Sequence, residues 1–181
     1  MKKIFVLLLV CMGLSTYAQK TLYIFNFSSY SVEVGSLYTE SNTGGYPWFI
    51  NNQATGITIA PGDTFTLENT TSTTRFPFDS PNSSPYIDSW KRIQMSGGSW
   101  TTMTAANVYA AYGNGQRFHT IKFDVQPDLS GGYIGNDTPD FRVEGGPDMP
   151  NGIPTWEAIY YENTDPLNPG LIDYVILISD I

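Results

Sequence analysis

Cysteine is almost missing from this chain: one residue, Cys11, in 181. A single thiol closes no internal disulfide and builds no thiolate metal cluster. Histidine is as scarce, with His119 alone, so the usual three-ligand catalytic zinc site has too few nitrogens to form. His119 falls inside an alternating run, 117–125, where a period of two sets it beside Ile121 and Phe123, as a core or rim residue rather than a base at a cleft. No Gly-x-Ser-x-Gly occurs, which removes the nucleophile elbow of the common serine hydrolases. Basic side chains number nine against seventeen acidic ones. Such a surface repels phosphate backbones and anionic lipid, so nucleic acid is not an expected partner. Long apolar runs are lacking too. The longest, Ile4 to Leu14, has eleven residues, short of the roughly 20 that a spanning helix needs.

That run has a different reading. Met1-Lys2-Lys3 is a short basic start, and Ser15-Thr16-Tyr17-Ala18 is a small-residue stretch after the apolar segment. This is the layout of a secretory signal peptide over residues 1–18, with cleavage before Gln19. Export follows as the expectation, to the periplasm, the outer surface or the medium. Removing the leader takes away Cys11 and two lysines, leaving seven basic and seventeen acidic side chains, a net charge of −10. An exported domain without disulfides fits a bacterial envelope better than a eukaryotic secretory route.

Residues 19–181 are rich in Thr, Ser, Tyr, Phe, Gly and Asn, with short alternating runs between Pro and Gly. This predicts an all-β, single-domain antiparallel sandwich of nine or ten strands, with jelly-roll and immunoglobulin-like topologies both open. Strands are expected over 21–27 and 31–38, joined as a hairpin, with Val32, Val34 and Ser36 on one face. A second hairpin is expected over 56–60 and 64–68, around Pro61-Gly62-Asp63, where proline presets the turn and glycine tolerates a positive φ. Further strands fall at 87–95, 117–125, 155–162 and 172–179. The near-continuous run from Tyr174 to Ile178 suits a central, doubly covered place. The only candidate helix is 104–112, with Thr104 as N-cap and Gly113 as the stop. A Pro- and Gly-rich stretch, 126–154, is mostly irregular and holds one short alternating piece at 140–144.

Aromatics are the abundant resource: four Trp, twelve Tyr and ten Phe, most of which must be core. Tyr46-Pro47-Trp48 lies between Gly44-Gly45 and Asn51-Asn52-Gln53, a pattern of a rigid loop aromatic beside amides. An indole packs on the apolar face of a sugar ring while amides take its hydroxyls. Tyr46, Trp48, Asn51 and Asn52 are therefore the candidate ligand-binding residues, and Trp156 joins them as a strand-face platform. Alternatively, Trp48 plugs the end of the sandwich and Trp156 is core.

Oxygen ligands are plentiful where nitrogen and sulfur are not. Asp128, Asp137, Asp140 and Asp148, with Asn136 and Asn151, stand on glycine-rich backbone that suits calcium, although the spacing matches no EF-hand loop and the same residues are ordinary turn formers. No other cofactor is expected. Glu33, Glu157 and Glu162 are the carboxylates that a glycosidase would draw on.

Together these features point to a non-catalytic binding module of the bacterial cell exterior, recognising a glycan or another neutral surface ligand. The alternatives are a carboxylate-based glycan hydrolase and a structural or adhesive surface protein with no small ligand. Oligomeric state leaves no mark in the sequence.

Overall fold

The structure, a computed structural model, describes residues 19–54, 56–68, 76–78, 83–113, 115–127, 130–143 and 155–181. The expected leader and the aspartates Asp128 and Asp148 lie outside these residues, as does Asn151.

In chain order the strands are β1 (Lys20–Phe27), β2 (Val32–Ser41), β3 (Trp48–Asn51), β4 (Ile57–Ile59), β5 (Thr64–Glu68), β6 (Ser89–Ile93), β7 (Thr101–Thr104), β8 (Gln116–Val125), β9 (Ser130–Gly135), β10 (Asp140–Val143), β11 (Trp156–Asp165) and β12 (Asn168–Asp180), with the helix α1 (Ala105–Tyr112) between β7 and β8. Five form one sheet in the order β10-β11-β12-β1-β5. The other sheet runs β7-β6-β3-β2-β8-β9, with β4 also paired to β2. The chain is thus the expected all-β sandwich with one short helix. Every pairing is antiparallel except β1 with β12, which run parallel, Lys20 opposite Ile172 through Phe27 opposite Ser179.

Alternation builds the core. Leu22, Ile24, Phe65, Leu67, Trp156, Tyr174, Ile176 and Ile178 come from the five-stranded sheet, and Val32, Val34, Leu37, Phe49, Trp90, Phe118, Ile121 and Phe123 from the other; all are buried. Phe118 meets Tyr160 and Tyr174 across the gap, with ring centroids 5.5 and 5.6 Å away. Each such side chain contributes about 1.5–3 kcal/mol by leaving water. β12 lies between β11 and β1, as its apolar run suggested, with Val175 buried and Leu177 half-buried on its outer face. The helix has its expected caps: Thr104 Oγ1 accepts from Asn107 N at 3.3 Å, and Gly113, at φ 52°, donates to the Tyr109 carbonyl.

Both expected hairpins are instead crossings. β1 and β2 lie in different sheets, and so do β4 and β5. Asn26 supplies the physical reason, because this buried amide knots the two turns into one corner. Its Nδ2 donates to the carbonyls of Tyr30 and Ile59, its backbone N to Asp63 O, and its own carbonyl accepts from Gly62 N. Pro61-Gly62-Asp63 does turn as its residues dictate, with Gly62 at φ 81° and Asp63 N bonded back to Ala60 O, but the turn carries the chain from one sheet to the other. Three strands, β3, β7 and β9, lie where the sequence suggested loops. They are only four to six residues long, so period-two alternation is barely visible in them.

Candidate binding site

Two breaks in register shape the outer face of the seven-stranded sheet. Between β2 and β8, Val34 pairs with Phe123 but Ser36 pairs with Lys122, which leaves Gly35 as an extra residue. This bulge turns Leu37 inward in place of Ser36. Farther along, Tyr38 pairs with Thr120 but Thr39 with Phe118, which leaves His119 as the extra residue of β8. A bulge re-aims side chains that strict alternation would send elsewhere. Alternation placed Phe118 opposite Ile121 and Phe123 and His119 beside them; the bulge instead brings Phe118 into the core and turns His119, with Thr120, to the outer face.

There His119 helps line a concavity of about 360 Å³. β2 supplies Tyr38, β3 supplies Trp48, β9 supplies Tyr133, and the turn after β9 supplies Asp137 and Thr138. Gly135 lets that turn approach: a Cβ there would collide with the carbonyl oxygen of His119 and lie 2.6 Å from Thr120 Cα. The close approach is fixed by Asn136, whose backbone N donates to His119 O at 2.9 Å and whose Nδ2 donates to Phe118 O at 3.2 Å. Tyr160 Oη donates to Asn136 Oδ1 from the neighbouring sheet.

The rings form a series. Tyr46 stacks on Trp48 with centroids 5.0 Å apart, and Trp48 lies 5.1 Å from His119. Trp48 Nε1 and His119 Nδ1 are both buried without a hydrogen-bond partner among the described residues. Glu40 Oε1 is 3.9 Å from His119 Nδ1 and Asp137 Oδ2 is 3.7 Å from Nε2, both too long for hydrogen bonds. The two carboxylates differ in their partners. Glu40 is nearly buried, accepts from Arg117 Nε and Nη2 at 2.9 and 2.6 Å, and takes Gly45 N on its other oxygen. Asp137 is exposed. Tyr133 is the most open ring of the wall, half exposed, while Trp48 and Tyr38 are half-buried.

Behind this wall, Lys20 Nζ donates to Asn42 Oδ1 and to Gln116 O, each at 2.6 Å. Burial, followed by the nearby Arg117 charge, lowers its pKa to about 8, against a smaller upward pull from Glu162. Tyr160 and Tyr174 are held well above the usual phenol range, first by burial and then by the Glu162 charge.

Of the residues expected to bind ligand, Trp48 lines the concavity, and Tyr46 stacks on Trp48 without lining it. Asn51 and Asn52 do not join them. Asn51 Oδ1 accepts from Leu37 N at 2.6 Å and its Nδ2 donates to Gln53, while Asn52 bonds Ser89 through N, O and Nδ2. Their amides are consumed in joining strands. Trp156 is corrected outright: it is fully buried, edge-on to Phe123 at 5.3 Å, because its place on β11 faces the other sheet. Among the proposed calcium ligands, Asp137 sits on the rim of the concavity and Asp140 starts β10 opposite Ile159. Among the described residues, no three of His, Cys, Asp and Glu gather as a metal-binding group. Glu157 and Glu162 fall on opposite faces of β11. Glu33 lies opposite Asp124 in a second concavity, of about 340 Å³, beside the Gly35 bulge.

Sequence reading missed Tyr38, Tyr133 and Thr120. Gly131-Gly132-Tyr133 carried the one usable signal, an aromatic among glycines in a stretch otherwise read as irregular. The bulge that recruits His119 leaves no mark in residue types. Compared with protein-family profiles, curated proteins and solved structures, the chain matches none.

Proposed function

We propose that the protein is a non-catalytic binding module that works outside the cell and holds a sugar ring of a glycan in the concavity of Tyr38, Trp48 and Tyr133. The observation that carries this reading is the convergence of three aromatic side chains, from β2, β3 and β9, on one hollow. Thr120, Thr138 and Asp137 stand at its polar positions, the division of labour expected for a ligand with an apolar ring face and hydroxyl groups. The volume suits one small ring rather than a macromolecular face. Location outside the cell is supported by the basic start, short apolar run and small residues of positions 1–18.

The test is a titration of the mature chain, residues 19–181, with soluble oligosaccharides, read by tryptophan fluorescence and by calorimetry. Tyr133→Ala should abolish the response while costing under about 1 kcal/mol of stability, since the ring is half exposed. Trp48→Ala should weaken binding as well and cost about 2 kcal/mol, less than the ~3–5 of a fully buried tryptophan. Unchanged sugar binding in both variants would defeat the reading.

A further inference from the structure

The concavity has an electrostatic character that sugar hydroxyls alone do not use. Aromatic rings carry negative potential on their faces, and Tyr38, Trp48 and Tyr133 supply three around one hollow. Two carboxylates stand near it, but Glu40 is already matched by the two-point contact of Arg117. Asp137 has no Lys or Arg within ion-pair distance among the described residues, and the imidazole Nε2 of His119 lies 3.7 Å from its Oδ2. Lys122 is opposite Tyr133 in the ladder yet does not line the hollow. The cavity is thus lined by three aromatic rings and one carboxylate that no Lys or Arg of the described residues pairs, in a chain whose long-range field also favours cations.

We propose that the ligand presents an ammonium group to this cavity, seated against the rings of Tyr38, Trp48 and Tyr133 and facing Asp137. The inference rests on the reading of this concavity as a ligand site and names the chemistry it selects. An amino sugar supplies such a group on a ring, and a quaternary ammonium headgroup supplies it without one. The desolvated cation gains from the rings and from the carboxylate together, whereas a neutral acetamide on the same ring keeps only an uncharged hydrogen bond and apolar contact and forgoes the cation–π and ion-pair attraction.

The deciding experiment compares β-1,4-linked glucosamine trimer, its N-acetylated counterpart and choline against the mature chain by calorimetry, below the pKa of the sugar amine. The glucosamine trimer is expected to bind about tenfold more tightly than the N-acetylated trimer, with choline also binding, and added salt should narrow the gap. Asp137→Asn should remove the preference for the amine, and Tyr133→Phe, which keeps the π face, should retain it. Binding of choline but neither trimer would uphold the ammonium and discard the sugar. Equal or tighter binding of the N-acetylated trimer would overturn the ammonium inference while leaving glycan binding standing. If none of the three bound, the ammonium inference would fall, and the glycan reading would then rest on the wider oligosaccharide titration alone.

Discussion

The two outer faces of the sandwich use similar residues to different ends. On the five-stranded sheet, Tyr23, Phe25 and Phe27 stack along β1 at 5.8 and 5.7 Å, with interplanar angles of 19° and 7°. Val175 and Leu177 of β12 lie beside them, followed by Ile159 and Tyr161 of β11. β1 keeps unbroken register with both of its neighbours, so its rings stand in a row and fill the space between one another. On the seven-stranded sheet the β2–β8 register breaks twice, and each of the two concavities lies at a break, one at Gly35 and one at His119. A hollow on this face thus comes from interrupted pairing rather than from a supply of aromatics.

The comparison is broken most directly at Gly135, where the bulged face depends on backbone touching backbone. Gly135→Ala should cost about 2–3 kcal/mol, because the turn at Asn136 must lift from β8 and surrender its hydrogen bonds. A chemical-denaturation series measures the cost, and loss of any ligand response should accompany it. A stability change under 1 kcal/mol would mean that the close approach is dispensable.

A smaller effect is expected where the sheets are tied, at Lys20. Its pKa of about 8 in the fold lies below the ordinary 10.5 of the unfolded chain. Between these values the unfolded chain holds a proton that the fold has released, so stability should rise with pH, by about 1 kcal/mol once solvent screening is allowed for. Above about pH 10 the sign reverses. Tyr160 and Tyr174 stay neutral in the fold but ionise when unfolded, and stability is lost. Melts across the range should place the optimum near pH 10, and Lys20→Met should flatten the rise while keeping the fall.

The smallest effect sharpens the comparison at the other bulge. Glu33 and Asp124 are like charges directly opposite each other across β2 and β8. Asp124→Asn should stabilise the protein by about 0.2–1 kcal/mol, and more at low salt than at high. Destabilisation would show that the pair is held together by something other than the sheet.

What the residues made legible follows from what is local. Alternation revealed most of the strands, and Thr104 and Gly113 bounded the helix, because caps and periods are short-range properties. Sheet membership was not legible, since Pro61-Gly62-Asp63 makes the same turn whether the next strand returns to its neighbour or crosses the core. That choice is made by Asn26, which is distant in sequence from the turn it controls. Trp48 was singled out as a loop residue without an apolar stripe. It is a strand residue, and it lacks a stripe because β3 is only four residues long and faces outward at Trp48 and Ile50. His119 was misplaced for the opposite reason, as a bulge alters the period without altering the composition.

The parallel pairing of β1 with β12 bears on how the chain is made. β1 is complete as soon as Phe27 has been synthesised, yet its parallel neighbour spans Asn168–Asp180. A chain emerging from its N-terminus must therefore carry a strand with three aromatic rings on one side and apolar residues on the other until β12 arrives. Contacts this remote in sequence slow folding and lengthen exposure to wrong partners. The five-stranded sheet cannot close until β12 has been made, so β1 stands open to wrong partners while all the chain between them is being added.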